Sequence, residues 1–198
     1  MVRRLKLFFD FDKEEAWLNR MASQGFLVRS AQGIYSFVPI PPGSAVVRID
    51  YRPSMSQYDF ADYVNLFQDA GWHHVSGSRH GGPQYFASCS AGPNVDIFSD
   101  PASKAQRYRR SLATSGLLLL PNLLLTFTTL SMVHLSSSPR EWYYTPGLWE
   151  KQGTDFLRAF LVESIFVSLR VGAPIFMVAF SLCLVTAVAY QYRLFRKA

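Results

Sequence analysis

Gly116-Leu117-Leu118-Leu119-Leu120-Pro121-Asn122-Leu123-Leu124-Leu125 sits inside a stretch, Ser111 to Pro139, that contains no charged residue. A second uncharged stretch runs from Val171 to Tyr192. Apolar runs of this length match the hydrocarbon thickness of a bilayer and have little use in a soluble core. Residues 112–135 and 171–192 are therefore read as two transmembrane helices. Pro121 should bend the first, and Asn122 is the one amide deep in either span. An amide in lipid finds its partner on a neighbouring helix, so Asn122 is read as an intramembrane helix contact in preference to a pore-lining group.

Charge sets the expected orientation. The 198 residues carry a formal net charge of +6, yet Met1 to Pro101 holds nine basic and ten acidic residues. The excess lies in Lys104, Arg107, Arg109 and Arg110 before the first span and in Arg193, Arg196 and Lys197 after the second. Basic residues at span ends mark the cytoplasmic side. These seven are read as a membrane-surface anchor on the anionic inner leaflet, with both termini cytoplasmic. A nearly neutral domain argues against nucleic acid as partner. Val2 to Asp12 lacks a long apolar core and is not read as a signal peptide.

Outward from the spans, the first hundred residues suffice for one small domain. Arg3 to Asp10 reads as a strand. Asp12 with Glu15 three residues on makes a capping-box pattern for a helix over about 13–24, with Trp17, Leu18 and Met21 as its stripe and Gly25 as its stop. Phe26–Ser30 and Ile34–Pro39 read as strands. The order then repeats: strand Ala45–Tyr51, a helix capped by Ser56 with stripe Phe60, Val64 and Phe67, a stop at Gly71, and strands His73–Ser78 and Gln84–Ser88. The fold class is α+β: two β-α-β-β units, with two helices on antiparallel sheet, followed by a two-helix transmembrane hairpin. The expected boundaries are 1–100 for the cytoplasmic domain, 101–111 for a basic juxtamembrane helix opened by Asp100 and Pro101, and 136–170 for an extracytoplasmic loop. Within that loop, Asp155 to Arg170 is either an interfacial amphipathic helix or the projecting first turns of the second span. Residues 193–198 form a cytoplasmic tail.

Chemistry is sparse. His73 and His74 are neighbours on a strand and point to opposite faces, so with His80 and Cys89 they make a poor metal site. Asp10-Phe11-Asp12 resembles the paired carboxylates that hold Mg²⁺ in nucleotide-sugar enzymes, yet Asp12 has a sufficient role as the helix cap. No phosphate loop, nucleophile elbow or zincin motif occurs, so no catalytic residue, cofactor or metal is expected. Cys89 and Cys183 are too far apart in the topology to pair. The aromatic residues Trp17, Tyr35, Phe37, Tyr51, Trp72, Tyr85 and Phe86 serve first as core. A second reading gives them a cleft between the two units for an apolar ligand or partner peptide.

An ordered set of segments resembles a known bacterial family. Glu15-Ala16-Trp17-Leu18-Asn19-Arg20-Met21-Ala22-Ser23-Gln24-Gly25, Tyr35-Ser36-Phe37, Arg48-Ile49-Asp50-Tyr51, Asp69-Ala70-Gly71-Trp72, Gln84-Tyr85-Phe86, Ile97-Phe98-Ser99-Asp100, Ser103-Lys104 and Arg107-Tyr108 are similar to the domain of unknown function family 2812. Phe26 stands where that family more often has Trp. The resemblance implies a bacterial membrane protein with a cytoplasmic domain followed by spans, tied to regulation or envelope stress and often encoded beside a PadR-type transcriptional regulator. It brings no site residues. The expected function is a non-enzymatic sensory, regulatory or protein-interaction module, with a cytoplasmic regulator and a homo-oligomer as partner classes. The alternative is a subunit of a small oligomeric transporter or channel.

Overall fold

The computed structural model describes residues 2–90, 92, 95–132 and 138–196. The chain divides into two compact units, one of residues 1–115 with 187–198 and one of residues 116–186.

In the first unit, β1 (Val2–Leu5), α1 (Phe11–Ser23), β2 (Phe26–Gln32) and β3 (Ile34–Pro39) are followed by β4 (Val46–Arg52), α2 (Gln57–Asp69), β5 (His73–Ser76) and β6 (Gly82–Ser88). Each set of three strands forms an antiparallel sheet with the last strand in the middle, in the orders β1-β3-β2 and β4-β6-β5. The two units of the repeat thus share one topology. The sheets meet where the Ala31 N–H on β2 donates to the Ser76 hydroxyl on β5 at 3.1 Å. Gly25, at φ 89°, ends α1, and a Cβ there would approach the Ile40 carbonyl to 3.0 Å, so the position suits only glycine.

Both domain helices start on a side-chain cap, but not both as expected. The Ser56 hydroxyl accepts from the Asp59 N–H at 3.1 Å and donates to its carboxylate at 2.8 Å, so the cap holds and Asp59 meets the Ser56 hydroxyl. At α1 the cap is Asp10, whose Oδ1 accepts from the N–H groups of Asp12 and Lys13 at 3.1 and 3.2 Å. Asp12 is already inside the helix and Glu15 turns to the core. That correction moves the start two residues upstream, and it frees both acids for other partners.

The core has two clusters. Phe11, Leu18, Val28, Tyr35, Phe37, Val47, Ile49, Tyr51, Tyr85 and Tyr108 form the larger one, with Trp17, Leu194 and Phe195 packed against it. Tyr63, Trp72 and Phe86 form the smaller one beneath α2, with Phe60, Val64 and Phe67 at its margin. Tyr85 and Phe86 are successive residues on β6 and so face opposite sides of the sheet.

Beyond the domain, α3 runs without a break from Pro101 to Met132, passing through Pro121, and α4 from Gly153 to Phe195, passing through Pro174. Asp100 opens α3, accepting from the Ser103 N–H at 2.8 Å. The expected 101–111 helix is thus the start of α3. Both α3 and α4 are long and apolar enough to cross a membrane. Leu117, Leu118, Phe127 and Phe176 stand exposed along them, as a core helix of a soluble protein would not allow. The ends placed at 135 and 136 fall outside the described residues.

In the second unit, residues 155–170 are not a separate interfacial helix but the first turns of α4. The preceding segment packs on those turns. Tyr143 stacks on Phe160 at 5.2 Å, the Thr145 hydroxyl donates to Glu163 at 2.8 Å, and Arg170 donates to the Trp142 carbonyl at 2.6 Å. Asn122 accepts from the Ser181 hydroxyl at 2.6 Å, which also lies 2.9 Å from the Thr126 hydroxyl, so α3 and α4 share a polar contact.

Candidate functional site

The strongest concentration of buried charge lies where α1 meets the starts and ends of the long helices. Arg107, on the second turn of α3, has no exposed side-chain surface. Its guanidinium donates to Glu15 at 2.5 Å, to the Ile49 carbonyl at 2.9 Å and to Asp12 at 2.6 Å. The neighbouring Tyr108 hydroxyl donates to Asp12 at 2.9 Å and lies 3.2 Å from Asp10. From the end of α4, the Tyr190 hydroxyl donates to Asp10 at 3.2 Å and accepts from Lys13 Nζ at 2.9 Å. The first turn of α1 therefore receives side chains from both long helices.

The same helix closes the free edge of β4. Asn19 accepts from the Val47 N–H at 2.7 Å and donates to the Val47 carbonyl at 3.0 Å, as a paired strand would. Glu15 accepts from the Ile49 N–H at 2.9 Å, and Arg107 takes the Ile49 carbonyl. An edge strand is thus sealed by side chains. Further along α3, Arg110 donates to the buried Asp50 at 2.6 Å, an acid that also accepts from Tyr63 and Arg52, each at 2.9 Å.

Electrostatics separate these acids by solvent access. Burial alone would raise the Asp12 carboxyl, but Arg107, Tyr108 and Lys104 outweigh it and hold the group below its ordinary value. Burial dominates at Glu15 and pushes it up, against the pull of Arg107 and the Ile49 N–H. The half-exposed acid keeps much of its hydration; the buried one has lost it. Arg107 stays charged because Glu15 and Asp12 more than offset its burial.

One helix position earlier, Glu14 forms no ion pair among the described residues. Its Oε1 accepts from the hydroxyls of Tyr35 and Tyr85, each at 2.6 Å. Burial raises its carboxyl despite both hydrogen bonds, and burial with the nearby Glu14 raises both phenols, so the hydroxyls remain donors. A cavity of about 290 Å³ opens beside the two tyrosines, bordered also by Lys6, Phe8, Ser78 and Pro83. A buried carboxyl whose two phenol partners border a cavity is a site where a small ligand or a proton would register.

These positions correct two expectations. Trp17, Tyr35, Phe37, Tyr51, Trp72, Tyr85 and Phe86 do not make a single cleft. Trp72 and Phe86 belong to the cluster under α2, Phe37 and Phe86 are almost wholly enclosed, and of the seven only Tyr35 and Tyr85 border the cavity. Nor can Arg107 anchor a lipid surface, since its charge is spent inside the domain. Lys104 and Arg110 are likewise engaged, Lys104 with Asp96 at 3.1 Å and Asp12 at 3.4 Å. Arg109, Arg193 and Arg196 are exposed, and Lys197 lies outside the described residues. His73 and His74 border a groove along α2, and no group of three metal-ligating side chains converges among the described residues.

Glu14, Asp50, Asn19 and Tyr190 escaped the sequence reading. Glu14 was detectable in principle, because it falls in line with Leu18 and Ala22 at four-residue spacing on the buried face.

A two-sheet α+β domain, joined by buried ion pairs to α3 and by a tyrosine hydrogen bond to α4, both helices of membrane-spanning length, defines the class. Residues 10–120 match the family model described as protein of unknown function DUF2812, and the chain belongs to that family. No curated protein and no solved structure matches the chain. The matched region contains Asp10, Asp12, Glu14, Glu15, Asp50, Arg107 and Arg110, the acids and arginines of both constellations, but not residues 2–9 or Tyr190.

Proposed function

We propose that this protein is a two-pass membrane protein with both termini in the cytoplasm, whose α+β domain is a non-enzymatic sensory or regulatory interaction module. One observation carries the reading: the first turn of α1 is tied to α3 through Arg107 and Tyr108 and to α4 through Tyr190. A device that only needed tethering would use a flexible linker. Here the domain is built onto its helices, so an event at the domain, such as occupancy of the cavity beside Glu14 or docking of a partner, has a route to both. The positive-inside rule supports the orientation, with Arg109, Arg193 and Arg196 exposed at the helix ends. The partner class is a cytoplasmic regulator, of the PadR type that the family resemblance implies.

The test is binding between the full chain in nanodiscs and the purified PadR-type regulator encoded nearest to it. Saturable micromolar or tighter binding is expected, weakened by Arg107→Ala. Absence of binding at any accessible concentration would overturn the partner assignment. Thr145→Cys should react with an impermeant maleimide from outside intact cells and Ser56→Cys only after permeabilisation; the reverse pattern would overturn the orientation.

A further inference from the structure

The N-terminal ribbon carries a surface that the domain does not use. Leu5 and Leu7 are 78% and 75% exposed, Phe9 is 47% exposed, and Ile34, which faces Leu5 across the β1–β3 register, is 56% exposed. Interleaved with them are Arg3, Arg4 and Lys6, all exposed. Among the described residues none of the three stands in an ion pair, and Lys6 lies 4.9 Å over the rings of Phe8 and Trp17. Four large apolar side chains left in water beside three cations that no acid neutralises are costly for a soluble surface. They are the composition of a segment that settles into an acidic headgroup layer, apolar side chains entering the acyl boundary and cations meeting phosphate.

Position supports the same occupant. The ribbon ends at Asp10, which accepts the hydrogen bond from Tyr190 in the final turns of α4. Leu7 is three residues away, within about 11 Å of Asp10 even when fully extended. Tyr190 itself lies in the last part of the 171–192 apolar stretch, where an aromatic with a polar tip belongs at the headgroup level. The patch is therefore held beside the place where α4 leaves the bilayer.

We infer that Arg3, Arg4, Leu5, Lys6, Leu7 and Phe9 form a docking surface for the anionic inner leaflet. This rests on the membrane-tether reading above. It also replaces the expected anchor around Arg107 with one whose cations stand outside every ion pair among the described residues. The ribbon also borders the cavity beside Tyr35 and Tyr85 through Lys6, Leu7 and Phe8, so lipid engagement would bear directly on that site.

The test uses the full chain with Cys89→Ser, Cys183→Ala and Leu7→Cys, the last labelled with an environment-sensitive fluorophore. The protein is reconstituted in vesicles of phosphatidylcholine alone or of equal parts phosphatidylcholine and phosphatidylglycerol. In the acidic vesicles the probe should shift to the blue and be quenched by spin-labelled lipid. Arg3→Gln/Arg4→Gln/Lys6→Gln should reduce that quenching at least about five-fold, the contribution of a single cation. A matched probe at the exposed Tyr58 should stay water-like in both. A Leu7 probe that stays in water while the chain resists alkaline extraction would overturn this inference alone; a chain released by alkali would overturn the tether. Equal quenching in both vesicles would overturn the role of charge. A blue shift without lipid quenching, accompanied by cross-linked dimers, would assign the surface to a second copy and overturn it too.

Discussion

The two β-α-β-β units share strand order and helix position, yet their helices carry different loads. α2 is an ordinary amphipathic helix: Ser56 caps it, Tyr63 is its one buried residue, and Tyr58 and Leu66 point to solvent. α1 buries Phe11, Leu18 and Ala22, but also Glu14 and Glu15, and its cap residue Asp10 is buried as well. The same supersecondary unit thus serves once as a packing element and once as a junction. What differs is where the acids point. On α2 they lie outward and cap or solvate; on α1 they lie inward and must be met by Arg107, Tyr108, Tyr35 and Tyr85.

That contrast is open to mutation. Arg107→Ala leaves Glu15 buried without its cation and should destabilise the domain by about 3–5 kcal/mol, read by thermal unfolding of the full chain in detergent. No acid on α2 should approach that cost, and a loss below about 1 kcal/mol for Arg107→Ala would erase the distinction between the helices. Asn19→Ala strips both strand-like hydrogen bonds from Val47 and should cost about 1–3 kcal/mol. In the second β-α-β-β unit, Ser56→Ala removes a cap with partners only at the surface and should cost about 1 kcal/mol.

The smallest effect is a slope. Glu14 has a raised folded carboxyl, so its contribution to stability is present below its reference value of 4.5 and is lost as pH rises through the elevated one. Asp12 has a lowered carboxyl, so its contribution is present above 3.8 and is lost as pH falls through the depressed one. Melting temperature followed from pH 4.5 upward should therefore fall less steeply in Glu14→Gln than in the wild-type chain. Parallel curves would mean that Glu14 titrates as an exposed acid does.

Much of the architecture was legible because it is written in local pattern. Gly25 and Gly71 punctuate the helices, Ser56 caps one of them, alternation marks the strands, and two uncharged runs announce the long helices. The α1 start was misplaced because Asp10 and Asp12 are equally good caps on paper; the partner waiting on α3 decides between them. The same long-range pairing hid the junction. Lys104, Arg107 and Arg110 form a basic run whose local reading is a lipid-facing anchor, and only the fold reveals that Asp12, Glu15 and Asp50 converge on it from residues 50 or more positions away. Conversely, residues 3–9 alternate like a strand, but the strand stops at Leu5 and leaves Lys6, Leu7 and Phe9 exposed.

Amide hydrogen exchange on the full chain in nanodiscs tests the junction most directly, comparing wild type with Asp12→Asn. Asp12 is half exposed, so the substitution spares the core while weakening the hold on Arg107 and Tyr108. Exchange in the Arg107–Ser111 turns of α3 should accelerate about ten-fold or more while the amides of α2 keep their wild-type rates. Unchanged exchange in those turns would contradict the account, for it would mean that α3 is held independently of the first turn of α1.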